Sequence, residues 1–261
     1  MKHDILHRSS DTRIQWSGDL IGEEPLAIRI QGNPYSVVMR TPGNEKAHAA
    51  GFCLGEGIVE TLEDITSLAL CDGPDSHVVT VTLTEKRRQE IPRIMDRRGF
   101  ISQTSCGICG KELIEDLVQE ILPVNKTISL TVDQALHLLE NLNHHQPLGR
   151  KTRACHAAAL FDPDLNLLAV AEDVGRHNAL DKAIGELFLD RRLSEASILV
   201  LSSRISYELV QKAARARIPV ILAVSRPTSL AVSLSEKLNM TLACLSKSSG
   251  LDIFCDTHRM L

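Results

Sequence analysis

Two cysteines three residues apart, Cys106 and Cys109, carry the strongest chemical signal in the chain. Each precedes a glycine, and the segment leads directly into a predicted helix that Pro123 ends. The partial positive charge of a helix N-terminus lowers the pKa of a nearby thiol, and only the thiolate is nucleophilic. The segment therefore predicts a reactive thiol, with Cys106 and Cys109 as the candidate catalytic residues.

Three other interpretations of this cysteine pair stay open at this point. A structural zinc site needs four ligands, and no second Cys-x-x-Cys exists, so Cys155 and His156 would have to complete it. A thioredoxin-like dithiol is expected early in a βαβ unit, whereas the alternation of strands and helices here lies downstream. A pair of unreactive cysteines is disfavoured, because the neighbouring glycines oppose burial inside a regular element.

A dense polar cluster occupies residues 172–178, with the sequence EDVGRHN. It lies where a predicted strand gives way to a helix, and open α/β sheets bind ligands at such strand ends. Arg176 is predicted to pair with an anion, and His177 to orient a ligand or pass a proton. For Asp173 and Asn178 a structural role fits the sequence equally well. Either residue would then cap the helix beside a turn in which Gly175 has a positive φ.

Three more segments repeat this strand-end pattern. His156 enters a strand, where a histidine is more often a core residue than a catalyst. Arg204 follows Ser202 and Ser203, which would bind phosphate or simply cap the next helix. Small residues beside Lys247 suit a diphosphate, although such loops are often plain turns. The candidate ligand-binding residues are Arg176, His177, Arg204, His156, Leu245, Ser246, Lys247, Ser248, Ser249 and Gly250.

The elements that would position these residues differ between the two parts of the chain. Alternating segments in the first part predict strands over residues 25–30, 35–40 and 77–83, with a helix over 44–59. They indicate an α+β domain with an antiparallel sheet.

A basic segment, residues 85–98, follows this sheet and is predicted to be a solvated connector, with a basic rim for an anionic partner as the alternative. We place the domain boundary after it, giving an N-terminal domain over 1–125 and a ligand-binding domain over 126–261.

The second part predicts strands and helices in alternation. Thr131 and Gln134 form a capping box for a helix through residue 142. Strands over 156–161 and 167–172 follow, and the remaining elements are helices over 178–189, 207–216 and 230–238 and strands over 197–201, 219–224 and 241–245. Several of these strands are apolar on both faces, which predicts a three-layer α/β/α domain.

Composition excludes several classes of protein. The chain has 261 residues with a net charge of -4 and eight aromatic side chains, which argues against nucleic-acid binding by charge or by stacking. Its apolar runs are much shorter than the roughly 20 residues of a membrane-spanning helix. Seven cysteines, an odd number, do not suggest a disulfide scaffold. A cytoplasmic protein without nucleic-acid or membrane partners is predicted.

Four segments together resemble one known family. Residues 104–111 (TSCGICGK), 156–159 (HAAA), 172–182 (EDVGRHNALDK) and 206–212 (SYELVQK) are similar to those of the formate dehydrogenase accessory sulfurtransferases, FdhD. The similarity covers nearly the whole chain, and the long polar segment is its most specific part.

The resemblance implies an enzyme, a sulfurtransferase that takes persulfide sulfur from a cysteine desulfurase. Its substrate would be the molybdenum or tungsten bis-(molybdopterin guanine dinucleotide) cofactor, which then enters formate dehydrogenase. Cys106 matches the family's persulfide carrier and Cys109 its partner, while residues 245–250 match the segment that contacts the guanine dinucleotide. The family also implies a homodimer, no resident metal, and a second domain resembling the cytidine-deaminase fold.

The chain departs from the family where members commonly have glycine, at Arg153-Ala154-Cys155 and at Arg217. A true zinc deaminase is disfavoured, because that chemistry needs His-x-Glu followed downstream by Pro-Cys-x-x-Cys. Two alternatives of other classes remain: a non-catalytic cofactor-binding chaperone and a thiol-disulfide oxidoreductase.

Overall fold

The structure is a computed structural model that describes residues 1–71, 77–90, 121–257 and 259–261. The predictions for Cys106, Cys109 and most of the helix after them therefore lie outside the described residues.

The first part of the chain forms a hairpin and a four-stranded sheet. The hairpin consists of β1 (Lys2–Arg8) and β2 (Arg13–Asp19), which pair antiparallel. The elements that follow are β3 (Glu24–Ile30), β4 (Asn33–Arg40), α1 (Glu45–Gly55), β5 (Ile65–Leu70), β6 (Val78–Leu83) and α2 (Glu85–Glu90). The sheet has the order β4-β3-β6-β5.

Two predictions for this part were wrong in detail. The sheet is mixed rather than antiparallel, because the chain passes through α1 and β5 before β6 returns parallel to β3. The supposed solvated connector begins with helix α2, and its Arg87 is buried. The guanidinium of Arg87 donates to the carbonyls of Ile58 at 2.9 Å and Gly57 at 2.8 Å. Pairing of these groups removes the cost of burying the charge.

The second part follows the predicted alternation. The elements are α3 (Val132–Asn141), α4 (Pro147–Thr152), β7 (His156–Phe161), β8 (Leu167–Asp173), α5 (Arg176–Leu189), β9 (Ile198–Leu201), α6 (Tyr207–Arg215), β10 (Val220–Ala223), α7 (Ser229–Lys237), β11 (Thr241–Leu245) and β12 (Leu251–Cys255). The capping box is confirmed: Thr131 Oγ1 accepts from the N–H of Gln134 at 3.2 Å, and Gln134 Oε1 accepts from the N–H of Thr131 at 2.9 Å.

The six-stranded sheet of this part has the order β12-β11-β10-β9-β7-β8. Strands β9, β10 and β11 are parallel, and β7 runs antiparallel to both β9 and β8. The carboxyl ends of β8, β9, β10 and β11 and the start of β7 therefore lie at one edge. We call this the ligand edge.

Apolar side chains cover both faces of this sheet. Leu199 and Ile221 pack into a core with α5 and α6, while Val200 and Leu222 pack into a second core with α3. The predicted three layers are confirmed. The closer resemblance to a cytidine-deaminase fold stays a prediction.

Helices α1 and α5 pack against each other at two glycines. A methyl group on Gly51 would lie 1.9 Å from the carbonyl oxygen of Asp181, and one on Gly185 would lie 1.8 Å from that of Ala47. Only glycine permits backbones this close. The domain boundary near residue 126 stays a prediction. In the part of the chain that is described, no helix combines the length and the apolar character needed to cross a bilayer.

Candidate functional site

At the ligand edge, nearly every strand has one cationic or imidazole side chain at its end or just beyond it. Arg176 follows β8, His156 begins β7, Arg204 follows β9, and Lys247 follows β11. Neighbouring strands are about 4.8 Å apart, so this row extends over roughly 20 Å. The side chains predicted for a strand-end site thus lie in a row along one edge of the sheet.

Arg176 and Arg204 lie towards one end of the row, because they follow β8 and β9, the two strands on either side of β7 and its His156. Burial and the neighbouring charge of Arg204 lower the pKa of Arg176. The Nε atom of Arg176 is buried and has no hydrogen-bond partner among the described residues. Burial, Arg176 and Arg204 together also lower the pKa of His156. An anion bound here would relieve this repulsion and satisfy the unpaired Nε.

His177 lies beside this pair of arginines. Its Nε2 is 3.2 Å from Ser206 Oγ and 3.7 Å from Glu208 Oε2. Burial lowers the pKa of His177 to about 4, and the charge of Arg176 adds to this effect while Glu208 opposes it. The imidazole is therefore neutral near pH 7 and acts as a hydrogen-bonding group.

The two serines before Arg204 have other partners. Ser202 Oγ accepts from the N–H of Ala157 at 2.8 Å, and Ser203 Oγ donates to the carbonyl of Arg204 at 3.0 Å. Helix α6 begins at Tyr207, so its N-cap residue is Ser206 and not Ser202 or Ser203. Of Ser202, Ser203 and Arg204, the exposed Arg204 is therefore the residue available to a ligand.

The segment 245–250 is a turn between β11 and β12. The N–H of Ser246 donates to the carbonyl of Gly250 at 3.0 Å, and Gly250 has a φ of 78°. Lys247, Ser248 and Ser249 are exposed. No hydrogen bond or ion pair between described residues links this turn to Arg176 or Arg204, so the two groups share the edge without contact.

Arg226 completes the row and was not predicted. It follows β10 by three residues, as Arg204 follows β9, and each of these arginines stands two residues before the N-cap residue of the next helix, Ser206 or Thr228. Its guanidinium pairs with Asp252 at 2.7 Å. The repeated Ser-Arg-x-Ser/Thr pattern in the sequence was the signal that could have revealed it.

Glu172 has a structural role. Its carboxylate accepts from the N–H groups of Leu148 at 2.8 Å and Gly149 at 2.7 Å, which are at the start of α4. It also accepts from the thiol of Cys155 at 3.5 Å. Burial and the charge of Glu172 raise the pKa of Cys155 to about 12, so this thiol is a poor nucleophile.

Asp173 and Asn178 have structural roles, but not as the helix caps of the alternative interpretation, because Gly175 is the N-cap residue of α5 and no side chain of the described residues caps it. The buried carboxylate of Asp173 accepts from the N–H groups of Thr41 at 3.0 Å and Gly175 at 2.9 Å, and from Asn178 Nδ2 at 3.0 Å. It pairs with Lys182 Nζ at 2.7 Å. The expectation of positive φ for Gly175 was wrong: its φ is -98°, because it is the extended residue before α5.

Two arginines at the positions where the sequence resemblance implied glycine have left-handed backbones. Arg153 has a φ of 53° and Arg217 a φ of 59°. This conformation favours glycine, so both arginines are strained there.

Comparison with known proteins identifies the family of this chain. The sequence model of the FdhD/NarQ family matches residues 21–261. A protein of Mycobacterium tuberculosis named "Sulfur carrier protein FdhD" is 37% identical over 98% of this chain and 96% of its own length. Proteins of the same name from Streptomyces coelicolor and Xanthomonas euvesicatoria pv. vesicatoria are 37% and 35% identical over 92% and 93% of this chain, and 88% and 86% of their own lengths.

The fold is similar to a crystal structure from Desulfotalea psychrophila, described as a formate dehydrogenase accessory protein. The TM-score is 0.78 at 23% identity, over 100% of this chain and 99% of the other. On the strength of the match across residues 21–261 and of these relatives, the chain belongs to the FdhD/NarQ family.

Proposed function

We propose that this protein is a sulfur carrier in the maturation of formate dehydrogenase and that Cys106 carries the sulfur as a persulfide. The observation that carries the proposal is the identity of 37%, over almost the whole chain, with relatives named sulfur carrier proteins. The segment 104–111 supplies the chemistry, since it places two cysteines among glycines before a predicted helix.

Loading of Cys106 is a thiolate exchange. The Cys106 thiolate attacks the terminal sulfur of a persulfide on a cysteine desulfurase, the sulfur–sulfur bond breaks, and the desulfurase cysteine leaves as a thiolate. Cys109 can then attack the inner sulfur, which releases hydrosulfide and leaves a disulfide that a dithiol must reduce. If Cys106 instead passes its outer sulfur directly to the acceptor, the acceptor must supply the two electrons that reduce this sulfur to sulfide, and both thiols are left free. Mapping disulfides after one turnover therefore distinguishes the two routes.

The acceptor is proposed to be the bis-(molybdopterin guanine dinucleotide) cofactor with molybdenum or tungsten, bound as a substrate. Its diphosphates suit the ligand edge, where Arg176 and Arg204 repel each other and the buried Nε of Arg176 has no partner in the described chain. Lys247 and the turn 245–250 would extend the contact along the same edge.

Binding of GDP tests this placement, because GDP has the guanine and diphosphate of the dinucleotide. A charge-assisted hydrogen bond contributes about 1.5–3 kcal/mol, so Arg204→Met should weaken GDP binding about tenfold to a hundredfold in calorimetry. Arg192→Met is the matched control, since Arg192 is an exposed arginine paired with Glu195 beyond the far end of α5. Equal dissociation constants for all three proteins would contradict the proposed site.

The two alternatives predict different results. A chaperone without sulfur chemistry would leave formate dehydrogenase fully active when Cys106→Ser is the only copy in the cell, with Cys155→Ser as the control. A thiol-disulfide oxidoreductase would reduce insulin with a dithiol as electron donor. The proposed carrier fails to support the enzyme when Cys106 is replaced and does not reduce insulin.

Homodimer formation, the desulfurase partner and a cytoplasmic location remain predictions from the sequence.

A further inference from the structure

A buried ion pair lies directly behind the first turn of α5, which presents Arg176 and His177. Asp173 is fully buried and Lys182 is 3% exposed, and their charged atoms are 2.7 Å apart. Asp173 is the last residue of β8 and accepts from the N–H of Gly175 at 2.9 Å. The pair therefore acts on the backbone that leads into the ligand edge.

The same pair holds the turn between β4 and α1. Lys182 Nζ donates to the carbonyl of Thr41 at 2.6 Å, and the N–H of Thr41 donates to Asp173 Oδ2 at 3.0 Å. Thr41 Oγ1 in turn accepts from the N–H of Val174 at 3.1 Å, and Asn178 Nδ2 donates to the carbonyl of Met39 at 2.7 Å. These contacts join the first turn of α5 to the end of β8, to β4 and to Thr41 just after β4.

We infer that Asp173 and Lys182 are positioning residues that, together with Thr41, hold the first turn of α5 so that Arg176 and His177 face Arg204. This inference rests on the proposed binding of an anionic cofactor at the ligand edge. Both side chains are buried, so the role proposed for them is to hold the backbone that carries Arg176 rather than to bind the ligand.

A second buried pair on α5 provides a matched control. Asp181 is 1% exposed and Lys212 is 5% exposed, and Lys212 Nζ lies 2.8 Å and 3.0 Å from the two carboxylate oxygens of Asp181. This pair joins α5 to α6, and its side chains pair with each other rather than with the groups that hold residues 173–175; Lys212 acts on the first turn only through its charge, which adds to the lowering of the pKa of His177. It has the same chemistry and burial as the first pair without its link to the first turn.

The experiment compares Asp173→Asn with Asp181→Asn in the full-length chain. Both substitutions should lower the melting temperature. Only Asp173→Asn should weaken GDP binding by at least about tenfold, because small displacements of binding groups have large effects on affinity. Only Asp173→Asn should also move the pKa of His156, followed by NMR, back toward its ordinary value, since Arg176 lowers that pKa in the native protein.

Several outcomes would overturn the inference. Unchanged GDP affinity and His156 pKa in Asp173→Asn would show that the pair only stabilises the fold, and equal losses in both variants would show general loosening. If Asp173→Asn does not fold, Thr41→Val must produce the same His156 shift at smaller amplitude, and no shift refutes the inference. If the native protein does not bind GDP, the proposed cofactor site fails, and the His156 pKa still tests the positioning.

Discussion

Replacement of Gly185 by alanine tests how closely α1 and α5 pack. On an isolated helix this substitution stabilises by about 0.5–1 kcal/mol. Here the added methyl group would lie 1.8 Å from the carbonyl oxygen of Ala47 and 2.8 Å from the backbone nitrogen of Gly51. These atoms belong to backbone and cannot rotate away, so the structure predicts the opposite sign.

The magnitude follows from the distance. A comfortable contact between such atoms is about 3.5 Å, so the helices must separate by roughly 1.5 Å. Overpacking of a close-packed core costs about 1–3 kcal/mol, and this contact belongs at or above the upper end of that range. A loss of about 3 kcal/mol lowers the melting temperature of a chain of this size by roughly 6–12 °C.

Thermal unfolding followed by circular dichroism provides the measurement. Glu186→Ala is the control, since Glu186 is the next residue on α5, is half-buried and already carries a Cβ atom. Its expected change is within about 0.5 kcal/mol. If Gly185→Ala melts at the native temperature or above it, the close packing of α1 on α5 is refuted.

Three further predictions concern single groups. Arg217→Gly should be more stable than Arg217→Ala by about 1 kcal/mol in urea unfolding. Both variants lose the arginine side chain, but only alanine is strained in the left-handed backbone at φ 59°. Equal stability of the two variants would contradict the prediction. GDP binding should tighten as the pH falls from about 8 to 6. A bound anion raises the low pKa values of His156 and His177, so the complex takes up protons when it forms. His156→Gln should reduce this pH dependence, and a pH-independent affinity would refute the prediction. Cys155 should react with iodoacetamide far more slowly than an ordinary thiol near pH 8, and Glu172→Gln should accelerate the reaction. A normal rate in the native chain would show that the pKa of Cys155 is not raised to about 12.

Local patterns explain what could be predicted of the fold. The capping box at Thr131 and Gln134, the alternating strands and the fully apolar strands are properties of short windows, and the structure has these elements within about two residues of the prediction. Strands whose side chains are largely exposed gave no such pattern. The hairpin β1–β2 was missed for this reason, since β1 has one half-buried residue among seven, and the edge strands β5 and β12 were missed as well.

Pairing between distant segments could not be predicted. The parallel contact of β3 with β6 depends on the path of the chain through α1 and β5, which no local pattern encodes. The same limit applies to the site. Residue types identified Arg176, His177 and Arg204, but the partner that makes Asp173 structural is Thr41, a residue 132 positions earlier in the chain.

Mass spectrometry of the intact protein tests the central claim most directly. The native chain is incubated with a cysteine desulfurase and cysteine, and peptides are mapped without reduction. We predict a gain of one sulfur atom on Cys106 in the native chain and in Cys155→Ser, and none in Cys106→Ser. Absence of added sulfur on Cys106 in the native chain, with the desulfurase itself shown to carry a persulfide, would contradict the sulfur-carrier function.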